Sequence, residues 1–185
     1  MKKKPRAILL VCFAIMLIAL SIQVESKYSN LRSEYPKPYH QLVLKVSKEF
    51  NVDENLIYAI MRQESKFKTD AVSSANARGL LQITEPTFDW LKMKLNDNTT
   101  VYEDLFEPEH NLRYGAYFLS LLRTEFKETS TQLAAYNAGM NITKTWLSDG
   151  EYSSNGKTLD VIPYPETRNY VKIVLENYRI YEEIY

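Results

Sequence analysis

The sequence predicts an all-α domain behind an N-terminal membrane segment. Three observations carry this. From Tyr39 onward, apolar residues recur at spacings of three and four, the period of a helix face. Outside the N-terminal segment no stretch alternates apolar and polar residues convincingly, apart from the short Leu159-Asp160-Val161-Ile162. Residues 7–24, AILLVCFAIMLIALSIQV, form an apolar run directly after the basic cluster Lys2, Lys3, Lys4 and Arg6.

That first element, residues 1–24, reads as an export signal, a positive flank followed by an apolar stretch. A buried core helix would need a polar face, and no polar residue appears before Ser21. Its length approaches the roughly 20 residues that span a bilayer, so the reading is a retained signal-anchor. The alternative is cleavage at Ala19-Leu20-Ser21, which would release a secreted form. The basic flank stays cytoplasmic, which makes a single-pass chain with an extracytoplasmic domain. Residues 25–38 are polar, contain Pro36 and Pro38, and read as a linker.

Residues 39–185 form the domain. Leu42, Val43, Val46 and Phe50 share one helix face. Asp53 caps the next helix, which carries Leu56, Ile57, Ile60 and Met61 and ends at Glu64. A short apolar helix is expected over Gly79–Ile83. Thr84 caps the helix after it, with Pro86 in the first turn and Phe88, Leu91 and Leu95 inward. Residues 96–108 are expected as loop and Glu109–Phe126 as a long helix. Thr129–Ala138 is another helix, stopped by Gly139, and Asn141–Leu147 a short one. Residues 149–163, rich in Gly, Ser and Asn, form a second loop. The last helix runs from Pro165, with Tyr170, Ile173, Val174, Tyr178 and Tyr181 as its apolar and aromatic positions.

Composition narrows the chemistry. There are 23 basic and 23 acidic residues, but four basic ones crowd the N-terminus, so the domain is net acidic and offers no nucleic-acid surface. Cys12 is the single cysteine and lies in the apolar run, so no disulfide forms within the exported domain. His40 and His110 fall in separate segments, and no cluster has metal-ligand spacing. No phosphate-binding glycine loop and no Gly-x-Ser-x-Gly elbow is present. No cofactor or metal is implied.

What remains is carboxylate and aromatic chemistry, with 14 tyrosines. Most of these read as core residues with their phenols turned outward. Glu64 follows the stripe Ile57-Ile60-Met61, at the rim of an apolar layer. Partial desolvation there raises a carboxyl pKa and suits a general acid. Taken by position alone, a solvated helix-end glutamate explains it better.

Four motifs change that balance. Glu64-Ser65 with Ser73, then Gly79-Leu80-Leu81-Gln82-Ile83, then Ala135-Tyr136-Asn137-Ala138-Gly139, then Pro163-Tyr164-Pro165-Glu166-Thr167-Arg168-Asn169-Tyr170-Val171 occur in order. Together they resemble the SLT-type (family 1) lytic transglycosylases, over about residues 39–178. The resemblance implies a lysozyme-like fold and cleavage of peptidoglycan glycan strands. It implies Glu64 as the single catalytic acid and base. Ser73 and Gln82 would bind saccharide or its N-acetyl group, the amide of Gln82 offering donor and acceptor together. Tyr136 would hydrogen-bond and orient Glu64, Asn137 would hold the cleft wall, and Tyr170 would complete the site. The family often has Met at Leu81, a near volume-conserving change. It often has Gly at Asn76 and Asn141, where Asn is expected to keep a left-handed turn. Arg168 is expected to form a structural ion pair, with Glu166 or Glu176 as partner.

The family's mechanism implies why one carboxylate suffices. Glu64 protonates the MurNAc–GlcNAc glycosidic oxygen, then takes the proton of the muramyl 6-hydroxyl, which closes a 1,6-anhydro ring. The sugar supplies its own nucleophile, a recognised exception to the two-carboxylate rule. A goose-type lysozyme hydrolase is the alternative, for which Asp70, Glu85 or Asp89 would have to act beside Glu64. A non-catalytic glycan-binding wall protein is another.

Overall fold

The computed structural model describes residues 4–185, with side chains from residue 9. Lys2 and Lys3 of the basic cluster lie outside the described residues. The chain divides at Pro36 into an N-terminal helix and a helical domain.

Helix α1 spans Lys4–Glu34. Its apolar side chains from Leu9 to Val24 are exposed. The segment Leu9–Glu34 has a mean hydropathy of 2.2 in its most apolar window and is long enough to cross a membrane. The polar stretch expected as a linker is helical as far as Glu34, because nothing before Pro36 interrupts a helix. Only residues 35–38 leave it.

The domain contains α2 (His40–Phe50), α3 (Glu54–Glu64), α4 (Glu85–Leu95), α5 (Pro108–Glu125), α6 (Thr129–Ala138), α7 (Met140–Ser148) and α8 (Pro165–Ile184). α5 packs against α2, α4 and α6, and α6 packs against α7. Helix α2 buries Val43 and Val46 and stops at Asn51, whose φ of 52° turns the chain. Asp53 caps α3, its carboxylate accepting from the Asn55 amide at 2.7 Å. Every residue from Leu56 to Met61 is buried, so α3 is apolar on all faces, as a central helix must be. Tyr58 of α3 stacks on Tyr181 of α8 at 5.6 Å, and the Tyr178 hydroxyl donates to Asp53 at 3.0 Å. These contacts tie the last helix to the central one.

Three local expectations change. Gly79–Ile83 is not a helix but a tight turn, closed by reciprocal backbone bonds between Arg78 and Ile83 at 3.0 and 3.2 Å. Gly79 (φ 73°) and Gln82 (φ 47°) are both left-handed, which no right-handed helix accommodates. The 96–108 loop contains a 3-10 helix, Tyr102–Phe106. Asn76 does adopt a left-handed turn (φ 58°), whereas Asn141 lies inside α7. Among the described residues the only β-pairing is two isolated bridges, Val72–Arg78 and Arg78–Ile83.

Candidate active site

Helix α3 ends at its only glutamate beyond the first turn. Both the amide and the hydroxyl of Ser65 bond the Met61 carbonyl, at 3.1 and 3.2 Å, and terminate the helix. Lys66 and Phe67 then take positive φ in succession, swinging the chain sharply away. Glu64 is left at the inner end of an apolar helix. Burial pushes its pKa up to about 7, opposed by a weaker hydrogen-bonding contribution from Tyr170. No second carboxylate among the described residues bears on it. Asp70, Glu85 and Asp89 are all exposed.

Two phenols face this carboxyl. Tyr136, from the C-terminal turn of α6, and Tyr170, from α8, both have pKa values raised well above the usual range, first by burial and then by the Glu64 charge. The Tyr170 hydroxyl is buried and makes no hydrogen bond of regular geometry, so it remains available beside Glu64. The Tyr136 hydroxyl is engaged elsewhere. It donates to the Leu81 carbonyl at 2.6 Å and not to Glu64 as expected. A phenol has one proton, and the Gly79–Gln82 turn takes it. The ring itself lies 5.2 Å from that of Phe118.

Gln82 also differs from expectation. Its Nε2 donates to the Gly79 and Ala71 carbonyls, at 2.9 and 3.1 Å, so both amide protons serve the loop. Only its carbonyl oxygen is left for a ligand donor. Gln82, Tyr136 and Asn137 line one cavity of about 220 Å³. That cavity shares Thr87, Phe118, Ala138 and Gly139 with a wider one of about 460 Å³ that reaches Trp90. Asn137 is exposed, and its Oδ1 accepts from the buried Thr167 hydroxyl at 2.7 Å, joining α6 to the start of α8. Ser73 is exposed and does not line the cavity; its hydroxyl oxygen accepts from the Ala77 amide at 3.1 Å and closes its own turn. Arg168 is exposed and makes no ion pair with Glu166 or Glu176.

The structure therefore gathers Gln82, Tyr136 and Asn137 at one cavity, sets Tyr136 and Tyr170 beside Glu64, and leaves Ser73 on a loop outside. Sequence reasoning missed Asn111 and Tyr102. Asn111 is fully buried in α5, and the Tyr102 hydroxyl lies between the Ile83 carbonyl, at 3.1 Å, and the Asn76 carbonyl, its single proton serving one or shared by both. An asparagine on the inward face of a predicted helix was the available signal for the first. For the second there was none.

The transglycosylase SLT domain model matches residues 41–158. The membrane-bound lytic murein transglycosylase C of Mannheimia succiniciproducens is 33% identical over 147 residues, which cover 74% of this chain and 40% of that protein. The soluble lytic murein transglycosylase of Escherichia coli K12 is 30% identical over 151 residues, covering 80% of this chain and 23% of that one. This chain thus spans well under half the length of either relative. The X-ray structure of an inactive glutamate-to-glutamine mutant of the lytic transglycosylase Slt from Pseudomonas aeruginosa superimposes with a TM-score of 0.72 at 32% identity, over 83% of this chain and 25% of that one. The 70-kDa soluble lytic transglycosylase in complex with bulgecin A gives a TM-score of 0.73 at 27% identity, over the same share of each chain. The all-helical, lysozyme-like fold and the match across most of the domain make this chain a member of the transglycosylase SLT domain family.

Proposed function

We propose that this protein is a lytic murein transglycosylase, anchored through α1 with its helical domain outside the membrane. One observation carries the reading. Glu64 is a half-buried carboxyl whose desolvation pushes its pKa up to about 7, and no second carboxylate among the described residues acts on it. Such a group holds a proton at neutral pH and can release it to a leaving oxygen. It has no carboxylate partner to activate water or form a covalent glycosyl intermediate.

Glu64 donates its proton to the glycosidic oxygen between MurNAc and GlcNAc as the C1–O bond breaks. The substrate's acetamido oxygen stabilises the muramyl cation. The Glu64 carboxylate then takes the proton of the 6-hydroxyl, whose oxygen bonds to C1. Glu64 ends protonated, the product carries a 1,6-anhydro ring, and no water is consumed. Holding the internal hydroxyl near C1 provides the rate advantage of an intramolecular reaction. Tyr170, whose hydroxyl hydrogen-bonds weakly to the carboxyl, steadies the carboxylate between the two proton transfers. Gln82 receives a donor of the sugar through its remaining carbonyl oxygen, Tyr136 and Asn137 wall the glycan, and Ser73 meets the strand from the loop. No metal or cofactor enters the scheme.

The test is digestion of purified peptidoglycan by the detergent-solubilised chain, read by the masses of released muropeptides. Products lighter by one water than hydrolytic fragments support the proposal. Fragments carrying that water identify a goose-type hydrolase instead. Sacculi bound but uncut identify a glycan-binding protein.

A further inference from the structure

The Gly79–Gln82 turn contributes both a cavity wall and the acceptor for Tyr136, so what fixes the turn fixes the surroundings of Glu64. Its fastening point is on α5. Asn111 Oδ1 accepts from the Leu81 amide at 2.8 Å, while Nδ2 donates to the Arg78 and Leu105 carbonyls at 2.9 and 2.8 Å. Both donors and the acceptor of a fully buried amide are thus used.

The surrounding shape is specific to this contact. A Cβ at Gly79 would lie 2.2 Å from Asn111 Nδ2 and 2.2 Å from the Leu105 carbonyl oxygen. One helical turn beyond Asn111, a Cβ at Gly115 would lie 2.2 Å from Leu81 Cδ1. Two glycines therefore clear the space in which Asn111 grips Leu81. The two ends of the Leu81 residue face opposite ways: its amide is bonded to Asn111 and its carbonyl to Tyr136.

We propose that Asn111 is a positioning residue: by holding Leu81, it keeps the Tyr136 hydroxyl on the Leu81 carbonyl and off the Glu64 carboxylate. This rests on Glu64 being the catalytic acid. The groups facing Glu64 are Tyr136 from α6 and Tyr170 from α8, and no charged side chain among the described residues adds to them. With Leu81 loosened, Tyr136 becomes free to donate to the carboxylate. That second hydrogen bond to the charged form would make Glu64 a stronger acid and leave it deprotonated at neutral pH.

The experiment measures the Glu64 titration midpoint by carboxyl ¹³C NMR in the full chain, and the pH profile of peptidoglycan cleavage alongside. Asn111→Ala is expected to lower the midpoint by about 0.5 unit or more and to move the alkaline limb of the activity profile down equally. In a Tyr136→Phe background the same substitution should produce no shift, because the phenol that transmits it is gone. Gly115→Ala, which displaces Leu81 with Asn111 intact, should lower the midpoint too and serves if Asn111→Ala does not fold. An unchanged midpoint in the folded variant, or a shift that persists with Tyr136→Phe, overturns the proposal. A purely structural role would lower the melting temperature and leave the midpoint in place. Because the NMR readout needs no turnover, it stands even if the wild-type chain cleaves nothing, in which case the transglycosylase reading fails separately.

Discussion

Glu64 keeps its proton to about pH 7 because the end of α3 holds it away from water, against the opposing pull of Tyr170. Three outcomes follow at this residue. Glu64→Gln should reduce glycan cleavage by roughly 10²–10⁴-fold, the usual share of a general acid–base group, while binding to sacculi persists. Wild-type activity should fall as pH rises through about 7, measured as kcat/KM on soluble glycan strands, since the acid form is then lost. The same burial makes Glu64 a stability liability. Below its ordinary pKa of 4.5 the carboxyl is protonated in folded and unfolded chains alike. Between 4.5 and about 7 only the unfolded chain gives up the proton, so stability falls with rising pH, and above 7 the deficit is constant. Glu64→Gln removes this term and should stabilise the domain by on the order of 2–3 kcal/mol at pH 8 and by little at pH 4, read by urea unfolding. A variant no more stable at pH 8 than at pH 4, relative to wild type, would mean that the carboxyl is not desolvated.

The elements divide into those that local pattern specifies and those it does not. Helices α2, α3, α4, α5, α6 and α8 follow their apolar periodicity, and most of them their boundary signals, with Asp53, Pro86 and Pro165 at starts and Asn51 and Gly139 at ends. The Gly79–Ile83 turn does not. Its Leu80-Leu81 pair is fully buried and reads as helix. The backbone instead turns through two left-handed residues, because Asn111, Tyr102 and Tyr136 draw its amide and carbonyl groups outward. Gly79→Ala tests this element. It places a methyl against a buried amide and a backbone carbonyl at a φ of 73°, and should cost about 3 kcal/mol in a thermal or urea unfolding experiment. A loss under about 1 kcal/mol would show that the turn can move off α5 without penalty.

At the scale of the whole molecule, α1 and the domain follow different solvent rules. The domain buries most of its apolar side chains, whereas α1 exposes a run of apolar side chains from Leu9 to Val24, interrupted only near its end by Ser21 and Gln23. A surface of that kind belongs in lipid. The full-length chain is expected to remain in the membrane pellet after carbonate washing, at its intact mass. A shorter soluble form beginning near Ser21 would show instead that the segment is a cleaved signal.

The sequence by itself determined the helical class, the apolar N-terminal segment and the chain positions of most helices, and singled out Glu64 as the candidate acid. Those features depend on periodicity, caps and motif order, all local in the chain. Only the tertiary structure decided how the groups around Glu64 direct their hydrogen bonds. Tyr136 lies 55 residues from Leu81, and Asn111 lies 30 from it. No local pattern encodes which acceptor a single phenol proton will choose. That choice is made by packing, where Asn111 of α5 holds the turn and the Leu81 carbonyl of the turn takes the Tyr136 proton.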